Sequence, residues 1–276
     1  MRGAGAPQRT YSVHMKQIRT VVSLLGLALV VLAPSSVPAS LGIDVAPAKL
    51  DISIPAGQAF NIPITVHNSS TSNVHVQATM VDFGVAPNGD YQIQRVGSRP
   101  YSLMKWASIN PREFDLPANT TQQVRLSVSV PSGGVSGEYA GIVFFQTRPD
   151  RRAGNTVAFS ARVATKIYDV VPNTQKMDGA ISKMTAIRGL GGQSYRVLFK
   201  NTGNTHVYLR GTLEVKRNGS TVDRIVLPSE VLVERGGERL IEVTGKKLEP
   251  GHYSAIALVD YGGKAMTGGE ISFDAQ

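Results

Sequence analysis

The stretch Asn110–Arg125, which reads NPREFDLPANTTQQVR, decides the fold class. Apolar and acidic residues alternate over Glu113–Leu116, the period-2 pattern of a half-buried strand. Pro117–Asn119 then turns the chain, and apolar residues alternate again from Val124 to Val130. Two short strands joined by a turn in this way are typical of an antiparallel β-sandwich.

The chain has 276 residues, with 28 glycines, 15 prolines and no cysteine. This length is enough for two ordinary domains, and the glycine and proline content supplies many turns. The lack of cysteine excludes disulfides, thiolate metal sites and a cysteine nucleophile. We therefore expect an all-β protein that is held together by its apolar cores.

Residues 1–39 have the pattern of a secretory signal peptide. Lys16 and Arg19 precede an uncharged apolar run over residues 21–33, and Val37-Pro38-Ala39 supplies the small residues of a cleavage site. The run is short for a membrane span, and an uncleaved anchor is the alternative. No later apolar run is long enough for a membrane helix. We predict export across the inner membrane, to the periplasm or to the extracellular surface.

Removal of this segment changes the net charge. The formal charge of the whole chain is +9, and the segment holds no acidic residue but four basic ones, so the mature chain carries +5. The four are Arg2, Arg9, Lys16 and Arg19. A mildly basic chain with interspersed acids gives little support to nucleic acid binding, and an exported protein rarely meets nucleic acid. We therefore predict no nucleic acid partner.

The two halves of the chain repeat one pattern. An asparagine ends an alternating strand and another asparagine opens the next strand, at Asn68 and Asn73 in the first half and at Asn201 and Asn204 in the second. The motifs that lead into an apolar strand are repeated as well, as Gly137-Glu138-Tyr139 and Gly251-His252-Tyr253. Such a tyrosine suits the tyrosine corner of immunoglobulin-like sandwiches. We predict two tandem immunoglobulin-like β-sandwich domains, over residues 40–172 and 173–276.

The sequence offers little catalytic chemistry. His75 and His206 occupy equivalent places in the two repeats, and two ligands in separate domains do not form one metal site. No nucleophile elbow or phosphate-binding loop is present. Carboxylate pairs such as Glu113 and Asp115 have the spacing of the solvent side of a strand. We therefore predict a non-catalytic protein without a cofactor or a metal.

Several segments resemble the periplasmic pilus-assembly chaperones of the PapD type. The first domain of that family carries an aromatic-P-x-x-F-x-L-type segment, a proline-containing turn and then Q-x-h-R before an alternating strand. Here Asn110 stands at the aromatic position, and the residues that match are Pro111, Phe114, Leu116, Pro117, Gln122, Val124 and Arg125. Ala46–Leu50 is similar to the first strand of the family, and Val157–Val163 with Lys166-Ile167-Tyr168 is similar to the last strand of its first domain. The resemblance covers roughly residues 43–172.

This resemblance implies a periplasmic chaperone and a set of site residues. Lys49 and Lys166 would bind the C-terminal carboxylate of an exported pilus or surface-protein subunit. Alternating side chains would complete the sheet of that subunit by strand donation, namely Val157, Phe159, Ala161 and Val163. An outer-membrane usher is a further candidate partner.

The residues alone leave alternatives open. Val157–Val163 could pack into the protein's own core, with Lys49 and Lys166 solvated. The alternative function is a secreted structural or adhesion module that binds cell wall or surface proteins. Gly137-Glu138-Tyr139 is similar to a motif in the domains of WxL-interacting surface proteins, which supports that alternative.

Overall fold

The computed structural model describes residues 42–149, 158–189 and 191–276. Among these residues the ordered elements are strands and a single 3-10 turn, Leu103–Lys105. The all-β fold class that the sequence predicts is therefore confirmed. The predicted signal peptide and Val157 lie outside the described residues. Within the described part of the chain, no helix has the length and apolar character needed to cross a membrane.

The strands of the first half are β1 Ile43–Ala46, β2 Lys49–Ile52, β3 Ala59–Asn68, β4 Val74–Val85, β5 Tyr91–Gln94, β6 Ala107–Asn110, β7 Glu113–Leu116, β8 Thr121–Ser129, β9 Glu138–Thr147 and β10 Arg162–Val170. The strands of the second half are β11 Gly179–Arg188, β12 Gln193–Asn201, β13 Val207–Arg217, β14 Ser220–Val226, β15 Val231–Val233, β16 Glu238–Thr244, β17 Gly251–Asp260 and β18 Thr267–Ala275.

The first sandwich packs two sheets around one apolar core. One sheet has the strand order β1-β3-β8-β6, and the other has the order β2-β10-β9-β4-β5, with β7 also paired to β4. Every second residue of β8 points into this core, because side chains alternate across a strand. Val124, Leu126 and Val128 are accordingly fully buried.

The second sandwich has a core of its own. A sheet of order β11-β12-β16 packs against a sheet of order β14-β13-β17-β18, with β15 also paired to β13. Tyr195 and Phe199 of β12 meet Leu213 and Val215 of β13 in this core. β10 ends at Val170 and β11 begins at Gly179. The domain bounds 40–172 and 173–276 stay a prediction.

Two segments differ from the predicted strands. The sequence predicts one kinked strand over residues 43–54, but the chain changes sheets at Pro47: β1 pairs with β3, and β2 pairs in parallel with β10. Proline has no amide hydrogen to continue a ladder. Leu103–Ile109 is predicted as a strand, yet it opens with a 3-10 turn that buries Leu103 and Met104, and the strand begins at Ala107. Periodicity does not separate a short apolar turn from a strand.

The repeat seen in the sequence has a physical basis in two buried asparagines. The two N–H groups of the Asn68 side-chain amide are shared among three carbonyls, those of Ser72, Leu116 and Pro117, at 2.9 to 3.0 Å. Asn201 likewise donates to three carbonyls, those of Thr205, Val233 and Glu234, at 2.7 to 3.2 Å. Each amide oxygen accepts from the backbone N–H two residues later. Both sandwiches therefore fix the turn that follows the asparagine, after β3 in the first and after β12 in the second, in the same way.

Candidate functional site

Lys49 and Lys166 are direct neighbours. β2 and β10 are parallel, and their register pairs Lys49 with Lys166. The amide N–H of Lys166 donates to the carbonyl of Ala48 at 2.9 Å. The next residues, Leu50 and Ile167, pack into the first core. Because side chains alternate along a strand, both lysine side chains leave the sheet on the face opposite that core.

The Lys49 ammonium group binds to both sandwiches. It donates to the hydroxyl of Tyr208, a residue of β13, at 2.9 Å. It also pairs with a carboxylate oxygen of Asp51 at 2.9 Å, and it lies 5.1 Å from the ring centroid of Tyr168. Partial burial lowers the pKa of Lys49, but the hydrogen bonds to Tyr208 and Asp51 and the negative charge of Asp51 outweigh it and raise the pKa overall. Lys49 therefore stays charged at neutral pH.

The Lys166 ammonium group lies in an aromatic environment. It donates to the hydroxyl of Tyr91 at 2.6 Å. Its nitrogen lies 5.1 Å from the ring centroid of Tyr91, 5.4 Å from that of Tyr168 and 5.9 Å from that of Phe83. Ammonium groups within about 6 Å of a ring centroid gain cation–π attraction. Tyr168 thus contributes its ring to both lysines.

The hydroxyl of Tyr168 connects the lysines to a buried acid of the second half. It donates to Glu234 at 2.7 Å. Burial raises the pKa of Tyr168, and the charge of Glu234 raises it further. Burial also raises the pKa of Glu234, although the Tyr168 hydrogen bond and the charge of Lys166 oppose that shift. A buried carboxylate needs such partners, because an isolated buried charge is costly.

A second acid, Glu138, links the sandwiches beside the lysine pair. Its side chain is only 2% exposed. Its two carboxylate oxygens bind the backbone N–H of His206 at 3.2 Å and the Nδ1 atom of the same residue at 2.5 Å. Arg235 donates to the carbonyls of Ser136 and Glu138 at 3.0 and 2.7 Å. These contacts hold the start of β9 against the second sandwich.

The sequence does not predict Glu138, Glu234 or Tyr208 as members of the site. Glu138 belongs to a motif that predicts a tyrosine corner, but the ring of Tyr139 packs on Trp106 with 4.2 Å between centroids. The corner hydrogen bond occurs in the second sandwich, where the Tyr253 hydroxyl donates to the carbonyl of Glu249 at 2.9 Å. An acid at the head of a strand that is otherwise apolar was the available signal for Glu138.

The edge of β10 that faces away from β9, here called the β10 margin, lies partly next to the lysine pair. β9 pairs with all of β10, whereas β2 covers only Lys166–Asp169 on the other side. In the described ranges no strand pairs with Arg162–Thr165 on the side away from β9. The Thr165 hydroxyl donates to the carbonyl of Pro47 at 2.9 Å, where the chain crosses toward β1.

The predicted strand-donation residues are only partly exposed. Phe159 is 47% exposed. Ala161 and Val163 are partly buried and pack against the first core. Val157 lies outside the described residues. The opposite face of the same sheet carries a smaller apolar cluster, in which Ile142 and Phe83 are buried with Tyr168.

A cavity of about 580 Å³ lies between the two sandwiches, next to the side chains that bind Lys49. Asp51 and Tyr208 line it on the side of Lys49, and Glu138 and His206 line another part. In the described residues, no three histidine or acidic side chains are grouped so that they could hold a metal ion. The polar groups of the site are therefore two ammonium groups, tyrosine hydroxyls and buried acids.

No family model matches the chain, and no curated protein matches it. Among solved structures, the class 5 fimbriae chaperone CfaA matches with a TM-score of 0.48 and 11% identity, over 85% of this chain and 99% of that chain. A chain of the CsuC–CsuE chaperone–tip adhesion subunit complex of Acinetobacter baumannii matches with a TM-score of 0.46 and 11% identity, over 84% and 97%. The CupB2 chaperone of Pseudomonas aeruginosa matches with a TM-score of 0.42 and 14% identity, over 84% and 98%.

The structures to which this chain is similar are thus named as chaperones, the class of protein that residues 43–172 resemble in sequence. Their identities are low and their TM-scores lie below 0.5.

Proposed function

We propose that this protein is an exported, non-catalytic chaperone that binds the C-terminal strand of a pilus or surface-protein subunit in the periplasm. Lys49 and Lys166 bind the terminal carboxylate of that subunit. The margin of β10 beside them pairs with its last strand. The signal peptide predicted over residues 1–39 directs the chain to that compartment.

The observation that carries this proposal is the direct pairing of Lys49 with Lys166 across two parallel strands. Two ammonium groups on one face offer several donors to a single carboxylate. A hydrogen bond to a charged group contributes roughly 1.5–3 kcal/mol. Rings partly shield both ammonium groups from water: Phe83, Tyr91 and Tyr168 at Lys166, and Tyr168 and Tyr208 at Lys49. Reduced access of water strengthens the attraction of the ammonium groups for an anion.

The position of the β10 margin, which no described strand covers over Arg162–Thr165, supports a parallel orientation for the bound strand. β2 runs parallel to β10 and begins its pairing at Lys166. A partner strand that continued this line along Arg162–Thr165 would end where β2 begins. Its C-terminal carboxylate would therefore arrive between Lys49 and Lys166. Main-chain hydrogen bonds of this kind are the basis of β-strand addition.

Side chains near this margin would then meet the core of the subunit. Of the predicted strand-donation residues that the structure describes, Phe159 is the most exposed. Ala161 and Val163 already touch the protein's own core, so they would extend that core into the subunit rather than fill separate pockets. This arrangement supports a shared apolar core between chaperone and subunit.

The proposal is tested with a peptide that has apolar residues at alternate positions and a fluorescent label at its N-terminus. One version carries a free C-terminal carboxylate and the other a C-terminal amide. We expect the wild-type protein to prefer the free acid, and Lys49→Ala with Lys166→Ala to weaken acid binding at least about tenfold, since two charge-assisted hydrogen bonds are lost. Fluorescence anisotropy measures both affinities.

A matched double variant controls for net charge. Lys183 and Lys264 are exposed residues of the second half. Replacing both by alanine removes the same charge and should leave acid binding within about twofold of wild type. Equal binding of acid and amide by the wild-type protein would refute carboxylate recognition. Equal losses in the two double variants would assign the effect to bulk charge.

The partial burial of Ala161 and Val163 favours a second candidate, a structural or adhesion module of the cell surface. In that function the β10 strand serves its own sandwich only. Sedimentation of the purified protein with isolated cell wall would detect this activity. The Lys49 and Lys166 variants should then bind cell wall as wild type does.

A further inference from the structure

The two lysines of the proposed site have different partners. Lys166 makes its hydrogen bond to a neutral group, the hydroxyl of Tyr91. Lys49 also binds a neutral hydroxyl, that of Tyr208, but in addition it pairs with the carboxylate of Asp51 at 2.9 Å. Of the two lysines, Lys49 is therefore already bound to a carboxylate of the protein itself, that of Asp51.

The position of Asp51 follows from the strand geometry. It lies two residues after Lys49 on β2, and residues i and i+2 share one face of a strand. Its register partner on β10 is Tyr168, whose ring contacts both lysines. The Asp51 side chain is 59% exposed, so it can turn away into solvent without unfolding anything.

We infer that Asp51 is an internal carboxylate that competes with the terminal carboxylate of a bound strand for Lys49. This inference rests on the proposed function. An incoming carboxylate meets Lys166 first, because the described hydrogen bond of that ammonium group is to a neutral hydroxyl and Glu234 acts on it only through its charge, whereas Lys49 is paired directly with Asp51. The carboxylate binds Lys49 only when Asp51 moves away, and until then the negative charge of Asp51 repels it. Asp51 thus weakens carboxylate binding and keeps it reversible.

A purely structural role for the Lys49–Asp51 pair predicts something else. Ion pairs between solvent-exposed groups stabilise proteins little. Removing Asp51 would then lower stability slightly and leave peptide affinity unchanged or reduced. The two roles differ in the sign of the effect on affinity, which makes peptide binding the deciding measurement.

Asp51→Asn keeps the size of the side chain and removes its charge. With the same acid and amide peptides, we expect this variant to bind the free acid about two- to fivefold more tightly than wild type, the range that one exposed ion pair supports. Binding of the amide should not change. Asp44→Asn is the matched control, since Asp44 is an exposed acid on β1 in the other sheet.

A variant without Lys49 tests the route of the effect. In a Lys49→Ala background, Asp51→Asn should give a smaller gain, because no ammonium group remains to be released. An unchanged or weaker affinity for the acid in Asp51→Asn would overturn the inference. So would an equal gain with the amide, or an equal gain in Asp44→Asn. If wild type itself does not distinguish acid from amide, the proposed function fails as well, and the two failures are told apart.

Discussion

The buried carboxyl group of Asp169 should make the protein less stable as the pH rises from acid to neutral. This residue of β10 is fully buried, and one of its carboxylate oxygens accepts the backbone N–H of Ile54 at 2.9 Å. The other oxygen has no hydrogen-bond partner among the described residues. Burial raises the pKa of Asp169 from 3.8 to about 6, against the opposing effect of the Ile54 hydrogen bond. The folded protein therefore favours the protonated acid.

The sign and the size of the effect follow from proton linkage. A group whose pKa is raised by folding contributes stability that is complete below its unfolded pKa and is lost as pH rises through its folded pKa. A shift from 3.8 to about 6 corresponds to about 3 kcal/mol over the whole titration, of which about 2 kcal/mol falls between roughly pH 4.5 and pH 7.5. The loss is large for a domain whose total stability is about 5–15 kcal/mol.

Asp169→Asn removes this titration, so we expect its free energy of unfolding to change less between acid and neutral pH than that of wild type. Trp106 is the only tryptophan, and its indole packs on Tyr139 against the first core. Its fluorescence therefore reports unfolding of the sandwich that contains Asp169. Urea titrations at several pH values give the free energies, and comparing pH profiles removes any constant cost of the new amide.

The control and the refuting result are both direct. Asp44→Asn removes an exposed acid of the same sandwich and should show a profile parallel to wild type. If Asp169→Asn also runs parallel to wild type, the carboxyl of Asp169 does not titrate with a raised pKa, and the argument from its burial is wrong. NMR of the side-chain carboxyl carbon would give the same answer at the level of the residue.

Two further predictions concern buried hydrogen bonds. Asn68→Ala leaves three carbonyls without their amide donor, so urea unfolding followed by Trp106 fluorescence should show a free energy of unfolding lower by about 3 kcal/mol or more. The control is Asn61→Ala, on an exposed part of β3, which should lower it by less than about 0.5 kcal/mol. Equal losses in the two variants would contradict the role of Asn68. Tyr168→Phe removes the donor to Glu234, so calorimetry at neutral pH should show a loss of about 1.5–3 kcal/mol. That loss should shrink in acid, because Glu234 is then protonated, and a loss that grows in acid would contradict this account.

Much of the fold follows from local pattern. Strict alternation of apolar and polar residues predicts β3 and β8, because a half-buried strand exposes every second residue. The pattern does not depend on which strands lie beside it. The repeated asparagines are visible in the sequence, and Asn68 and Asn201 stabilise equivalent turns in the two sandwiches. The failures are also local: Leu103–Lys105 is apolar enough to resemble a strand, but its two buried residues belong to a 3-10 turn.

The candidate site depends on contacts that local pattern does not contain. Lys49 and Lys166 were singled out by the family resemblance, and their pairing arises from a change of sheet at Pro47 that brings β2 beside β10. Tyr208 lies 159 residues beyond Lys49 in the chain, and its hydrogen bond to that lysine depends on the packing of the second sandwich. Periodicity cannot predict such a partner, because it says which face a residue lies on but not what covers that face.

These contacts also couple the lysine pair to the interface between the two sandwiches. Lys49 binds Tyr208 of the second sandwich, and Tyr168, whose ring serves both lysines, binds the buried acid Glu234. A carboxylate that binds Lys49 must displace Asp51, so part of the binding free energy offsets a contact already present. The hydrogen bond to Tyr208 uses one of the three ammonium N–H groups and can remain. Lys166 has no such link through its own hydrogen bond, which stays within the first sandwich at Tyr91. The same pair of charges therefore has one member whose hydrogen bond lies within the first sandwich and one whose position depends on a hydroxyl of the second.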